Sequence, residues 1–260
     1  MAGVWVTGDL HGTIDIKKLN KKNLMSKKFD FDGGKDQNFI IIAGDFGLIW
    51  DWHGESKEEK YWLDWLDSRP YTVLFVDGNH ENFDILYSDK YPIVEWHGGK
   101  AQKIRENVIH LLRGEIYTIL DKTFWTFGGA SSHDIKDGVL DPEKDKALIK
   151  EWSRDEYCCK QFRINHQSWW KEEIASPEEM KYGIDNLSKH NDEVDFIITH
   201  CAPQTIASMM GYREPDEMTM YLNTIAHNVK FKNWFFAHYH RYARVMGKFY
   251  CLYDDILQIA

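Results

Sequence analysis

Short apolar runs that break off abruptly in polar residues recur along this chain, with no repeated sequence behind them. Val4-Trp5-Val6-Thr7 runs into Gly8-Asp9-Leu10-His11-Gly12, Phe39-Ile40-Ile41-Ile42-Ala43 into Gly44-Asp45, and Thr72-Val73-Leu74-Phe75-Val76 into Asp77-Gly78-Asn79-His80-Glu81. The later half adds Asp195-Phe196-Ile197-Ile198-Thr199 before His200, and Trp234-Phe235-Phe236-Ala237 before His238-Tyr239-His240. Such runs of β-branched or aromatic residues, bounded by Gly or polar turns, predict strands buried on both faces. The pattern predicts five core strands, each delivering a polar loop.

Helix signals lie between them. Ser56 with Glu59 three residues on is a capping box, followed by Tyr61, Trp62, Trp65 and Leu66 at helical spacing. Asp141-Pro142 and Ser176-Pro177 each pair a cap residue with Pro at the first helical position. Glu179 reinforces the second, whose apolar face is Met180, Ile184 and Leu187. Met218, Tyr221, Leu222 and Ile225 mark a further helix. Val108 to His110, Glu115 to Leu120 and Thr123 to Phe127 read as antiparallel strands, and Arg244 to Met246 with Lys248 to Tyr253 as a terminal hairpin around Gly247. Strand and helix alternate at both ends, so the class is α/β.

The stretch from about 151 to 181 is the least orderly, with Trp152, Tyr157, Phe162, Trp169 and Trp170 among many charges. It reads as an insertion whose aromatics pack on the outside of the core, with a lid as the alternative. No Gly-, Ser- or Pro-rich linker sets it apart, and 260 residues fit one elaborated domain, so residues 1–260 are taken as a single domain.

Composition narrows the partners. A formal charge of −9 argues against a protein that coats long nucleic acid by neutralising phosphates, while leaving room for a small positive site. No run approaches the length of a membrane span, and the start lacks the basic and apolar regions of a signal peptide, so a cytoplasmic location is expected. Cys158, Cys159, Cys201 and Cys251 show no C-x-x-C spacing and are read as reduced, structural residues.

The strand ends carry the chemistry. They present Asp9 and His11, then Asp45, Asn79, His200, and His238 with His240, a set of seven ligands that suits two cations. Residues two apart in extended chain point the same way, so Asp9 with His11, and His238 with His240, would each offer two groups to one cavity. In open α/β sheets that cavity lies at the carboxyl ends of the strands. Mixed carboxylate, imidazole and amide donors suit Mn, Fe, Zn or Co better than Ca or Mg, with manganese favoured here. Two such ions roughly 3.5–4 Å apart clamp a phosphoryl group and activate water, so hydrolysis of a phosphate ester follows.

These residues resemble the calcineurin-like metallophosphoesterases. Gly8-Asp9-Leu10-His11-Gly12 is similar to the family's G-D-x-H-G, Gly44-Asp45 to its second G-D, and Gly78-Asn79-His80-Glu81 to its G-N-H-[DE]. His200 and His238-Tyr239-His240 match the late His and H-x-H motifs in the family's order. The resemblance implies a four-layer α/β/β/α sandwich. It also implies one metal held by Asp9, His11, Asp45 and His240, and a second by Asp45, Asn79, His200 and His238. Asp45 would bridge, and His80 would be the general acid that protonates the leaving oxygen.

One departure bears on substrate. Protein-phosphatase relatives carry a second Asp three positions after the bridging one, where this chain has Leu48. The H-x-H ending leans instead toward phosphodiesterases acting on phosphorylated small molecules or nucleotides. The alternatives are a phosphomonoesterase or protein-phosphatase-like enzyme, a nuclease, or a non-catalytic metal-binding module of the same fold. Asp51 is a candidate to orient an imidazole. The remaining histidines (His53, His97, His110, His133, His166, His190, His227) take ordinary roles by default. His133, in the run Gly128 to Asp134 after an apolar strand, is also a candidate substrate contact, as is Arg241 beside His240. The many Trp residues are read as packing rather than base-stacking groups.

Overall fold

Each of the five apolar runs forms a strand, and side-chain alternation along the runs decides which layer every residue joins. The computed structural model describes residues 2–154 and 159–260, so Tyr157 and Cys158 lie outside the described part. The first half contains β1 (Gly3–Thr7), α1 (Lys21–Ser26), β2 (Asn38–Ile42), α2 (Lys57–Asp67), β3 (Thr72–Phe75) and α3 (Phe83–Leu86). Then come β4 (Ile93–Trp96), β5 (Gly99–Arg105), β6 (Val108–Leu111), β7 (Ile116–Ile119), β8 (Lys122–Phe127), β9 (Gly138–Leu140), α4 (Lys146–Trp152) and β10 (Phe162–Ile164). The last part holds α5 (Pro177–Lys189), β11 (Phe196–Thr199), α6 (Gln204–Met209), α7 (Glu217–Asn228), β12 (Asn233–Phe236), β13 (Ala243–Val245), β14 (Phe249–Cys251) and β15 (Ile256–Gln258).

The strands build two large sheets, ordered β15-β1-β2-β3-β6-β5-β4 and β13-β14-β12-β11-β8-β7, beside a small β9–β10 pair. β1, β2, β3 and β6 run parallel in the first sheet, and β8, β11, β12 and β14 in the second. Period-two alternation separates the faces. Val4, Val6, Ile41, Leu74 and Val76 pack with Phe124, Phe196, Ile198 and Phe235, joining the two sheets. Their neighbours Trp5, Ile40, Ile42, Val73 and Phe75 pack instead with Leu63 and Leu66 of α2. On the second sheet, Trp125, Ile197, Trp234 and Phe236 pack with Leu187 of α5 and with Leu222 and Ile225 of α7. Burial on both faces explains why these strands read as unbroken apolar runs.

The caps at Ser56 and Ser176 form full capping boxes, and Asp216 caps α7. Three details differ from the sequence reading. Asp141-Pro142 does not start a helix: Asp141 Oδ1 accepts the N–H groups of Glu143 and Lys144, forming a turn, and α4 begins behind Asp145. Val108 to His110 is not purely antiparallel, because β6 pairs parallel with β3 and antiparallel only with β5. Ile184 is 41% exposed, and α5 buries Gly183 and Leu187. Within the 151–181 segment, Trp170 is buried in the first sheet's helix-side core and meets Trp50 edge-on, whereas Phe162 is half-buried against Trp152. Cys201 and Cys251 are buried, and Cys159 is exposed.

A buried ion-pair network anchors the end of β3. Arg113 Nε and Nη2 donate to Asp77 Oδ2 at 2.9 and 2.6 Å, and His110 Nε2 lies 3.2 Å from Asp77 Oδ1. Burial raises the Asp77 carboxyl, but Arg113 and His110 outweigh it and hold the group far below the usual carboxylate range. The Asp77 carbonyl accepts from Gly129 N–H at 2.9 Å, tying the loop after β3 to the loop after β8. Removing one member strands a charge in the core. Arg113→Ala should therefore cost about 3–5 kcal/mol of stability, read by denaturant melts at neutral pH. A folded pKa below the unfolded value near ~3.9 stabilises above that pH, so the deficit should shrink as pH falls below it.

Candidate metal centre

The parallel strands of both sheets end at one edge, and the loops leaving β1, β2, β3, β8, β11 and β12 meet there. Loop-to-loop backbone bonds set the spacing: Leu10 and His11 N–H donate to Asp45 O at 3.0 and 2.8 Å, and Ala237 N–H to His200 O at 2.8 Å. The turns are tight enough that His11 (φ 47°), Asp45 (φ 46°), His238 (φ 69°) and His240 (φ 46°) occupy the left-handed region. That conformation costs a non-glycine residue of order 1 kcal/mol or more. It also alters the expected route to convergence, because His11, His238 and His240 reach the cavity from left-handed turns rather than from extended chain.

Two groups of donors result, His11 with Asp45 and His240, and Asp9 with Asp45 and His200; in each the ligand atoms lie within 4.8 Å of one another. Asp45 belongs to both, with Oδ2 3.5 Å from His11 Nε2 and Oδ1 3.3 Å from His200 Nε2. Asp45 Oδ1 also accepts His80 N–H at 2.9 Å. His200 Nδ1 bonds Ala43 O at 2.8 Å, which turns Nε2 toward Asp45 and toward Asn79 Oδ1, 3.2 Å away. Asp9 Oδ1 accepts His238 N–H at 3.1 Å, whereas Oδ2, buried and 3.8 Å from His240 Nε2, has no hydrogen-bond partner among the described residues. A buried orphan carboxylate oxygen amid imidazoles fits a cation site, since an unpaired buried acceptor is otherwise costly.

Electrostatics point the same way. Burial raises Asp45, but His200 and His11 outweigh it and hold the carboxyl well below its usual range. Burial lowers His200, but Asp45 and Asp9 prevail and push it up to about 9. Asp9 is raised by burial. His80 is lowered, chiefly by burial, and its ring lies against Trp50 with centroids 5.6 Å apart.

The remaining expected residues are placed as follows. His238 lies against His200, with ring centroids 4.9 Å apart, and its Nε2 is 2.7 Å from His133 Nε2. Burial lowers both His238 and His133, so one neutral imidazole donates to the other. His133 therefore stands at the centre rather than among the ordinary histidines. Arg241 is exposed and donates from Nη1 to Met210 O at 3.3 Å. Asp51 is engaged by His53, accepting its N–H at 2.9 Å, so its carboxylate serves a surface turn.

Several supporting residues were given no role of their own by the sequence. Asn79 Nδ2 donates to Ser132 Oγ at 3.3 Å, while Ser132 donates through Oγ and N to the two oxygens of buried Glu173 at 2.6 and 2.9 Å. Ser132 gives its proton to Glu173, so it must accept from Asn79, and this turns the Asn79 oxygen into the cavity. Glu81, quoted only as part of a motif, accepts Phe46 and Gly47 N–H at 2.6 and 3.2 Å and so shapes the turn holding Asp45. Lys18 is buried and pushed down to about 8 by burial; its ammonium donates to the carbonyls of Gly8, Asp9 and Tyr253. The motif glycines have a contact reason, since a Cβ on Gly44 would overlap the His200 imidazole and one on Gly78 the Asp45 carboxylate.

Two predictions follow from this geometry. Ser132→Ala and Glu173→Gln should each weaken Mn(II) binding about 10- to 100-fold in calorimetry, with Gly44→Ala losing it altogether. Because ligands bind metal deprotonated, Mn(II) affinity should rise with pH toward the His200 value of about 9, by about tenfold per unit for one displaced proton.

A comparison with protein families agrees with the site. A family model, calcineurin-like phosphoesterase, matches residues 3–242, which include every residue of the two donor groups. No curated protein matches the chain. With the match spanning nearly all of its 260 residues and two groups of Asp and His residues that could hold metal gathered at one sheet edge, the chain belongs to the calcineurin-like phosphoesterases and is a hydrolase of phosphate esters.

Proposed function

We propose that the protein is a two-metal phosphodiesterase, built as one domain, that acts on phosphorylated small molecules or nucleotides. The observation that carries this reading is Asp45, whose two oxygens face different imidazoles and serve both donor groups. Asp9, His11, Asp45 and His240 would hold one ion, with the partnerless Asp9 Oδ2 turned toward His240. Asp45, Asn79, His200 and His238 would hold the other, and the mixed oxygen and nitrogen donors favour manganese among Mn, Fe, Zn and Co. Two divalent ions at such a site supply charge neutralisation for a phosphoryl group and lower the pKa of water toward neutrality.

The chain's own groups do the rest. His80 donates a proton to the departing ester oxygen; its backbone bond to Asp45 fixes its position, and burial beside Trp50 limits access of bulk water. His133, in contact with His238, is a substrate contact, and Arg241 is a further one at the rim. A cavity of about 870 Å3, lined by Ser131, Trp169, Glu172, Ile174 and Glu217 among others, borders the loop that carries Ser132 and His133. The resemblance of His238-Tyr239-His240 to the H-x-H motif supports diesters over monoesters.

The test is hydrolysis of bis-p-nitrophenyl phosphate and p-nitrophenyl phosphate by Mn(II)-loaded protein. Turnover should favour the diester and stop on chelation, and Asp45→Asn should lose metal and turnover together. His80→Ala should keep its metal while slowing poorly activated esters about 10²- to 10⁴-fold. Preference for the monoester would reject the diesterase reading, and loss of metal in His80→Ala would reject the role given to His80.

A further inference from the structure

The 159–175 stretch contributes more than packing. Its strand β10 pairs with β9 in the register Arg163 to Val139, and β9 follows the loop from β8 that carries Ser132, His133 and Asp134. The stretch then crosses to α3, the helix that follows the Asn79–His80 loop. There His166 Nδ1 lies 2.9 Å from Asp84 Oδ2, and Trp170 Nε1 donates to the same carboxylate at 2.7 Å. Buried Trp170 locks this end, meeting Trp50, which itself flanks His80. The strap is thus fastened to β9 at one end and to α3 at the other, and Arg163 lies within the first fastening, beside the loop that carries His133 and Asp134.

We propose that Arg163 is a substrate contact, a guanidinium that grips the phosphoryl oxygens from the His80 side of the metal centre. Two observations support it. First, Arg163 Nη2 pairs with Asp134, the residue after His133, whose own imidazole touches His238. The pair therefore sits beside the loop whose His133 meets His238. Second, Asp134 engages Nη2, and the Arg163 side chain is only 22% exposed, so the fork is held in place with further N–H groups to offer an anion. In a chain of net charge −9, a cation fixed beside this site marks where an anionic group docks.

The inference rests on the phosphoesterase reading, and its test separates the two. Inorganic phosphate binding to Mn(II)-loaded protein is measured by calorimetry for the native chain, Arg163→Met, which keeps the aliphatic stem, and Arg163→Lys. KM and kcat for bis-p-nitrophenyl phosphate are measured alongside metal content. Arg163→Met should keep its metal, weaken phosphate binding about 10- to 100-fold and raise KM similarly, with Arg163→Lys in between because it restores charge without the planar fork. Unchanged phosphate binding and KM in Arg163→Met would overturn the contact whatever the turnover, as would a native protein that binds no phosphate. Arg163-dependent phosphate binding without diester turnover would instead overturn the diesterase reading and leave the contact standing. If Arg163→Met loses its fold, Arg163→Lys decides by the same phosphate titration.

Discussion

A carboxylate taken entirely out of water is costly unless positive or donor groups converge on it, and the loops around Asp45 answer that requirement. Asp45 is 1% exposed, and its oxygens face His11 on one side and His200 on the other while also accepting the His80 backbone N–H. Those contacts draw together loops from β1, β2, β3 and β11, that is, from both sheets. The left-handed backbone at Asp45, His11, His238 and His240 is tolerated because the crossing hydrogen bonds over-determine it.

Around that carboxylate the protein spends buried polar groups on orientation. Glu81 holds the turn after β2, Glu173 reaches Asn79 through Ser132, and Asp77 is clamped by Arg113 and His110. Each of these acids is buried, and each is satisfied by donors from a loop other than its own. The effect is to fix tautomers and amide orientation before any substrate arrives, which is how a preorganised site avoids rearranging during reaction. The strap from β10 to Trp170 extends the same logic outward, since it is fastened to the loops it borders.

An acidic protein holding an anion site is no contradiction. Charge over the whole surface governs solubility and long-range steering, whereas a phosphoryl group responds to the nearest fixed charges. Here two divalent ions with Arg163 and Arg241, as proposed, would outweigh the carboxylates of Asp9, Asp45 and Asp134 at the same sheet edge.

Much of this was legible in order along the chain. The apolar runs marked the core strands, because burial on both faces leaves no polar alternation to obscure them, and the Ser56 and Ser176 capping boxes marked two helix starts because capping is local chemistry. Local cues failed where a competing local structure was equally good, as at Asp141-Pro142, whose carboxylate closes a turn. The edge strands β4 and β15 gave little signal, since exposed residues such as Ile93 and Gln258 lack a buried pattern. The donor residues themselves were readable, because Asp, Asn and His after successive strands are hard to explain otherwise. What the sequence by itself determined was therefore the strands, the cap chemistry and the inventory of ligands, all properties of neighbouring residues. Only the tertiary structure decided that the two Asp45 oxygens face different imidazoles, that His133 meets His238, that Glu173 reaches Asn79 through Ser132, and that Arg163 pairs with Asp134. Those pairings join residues 29 to more than 100 positions apart, and such contacts exist only once two sheets and a strap have packed.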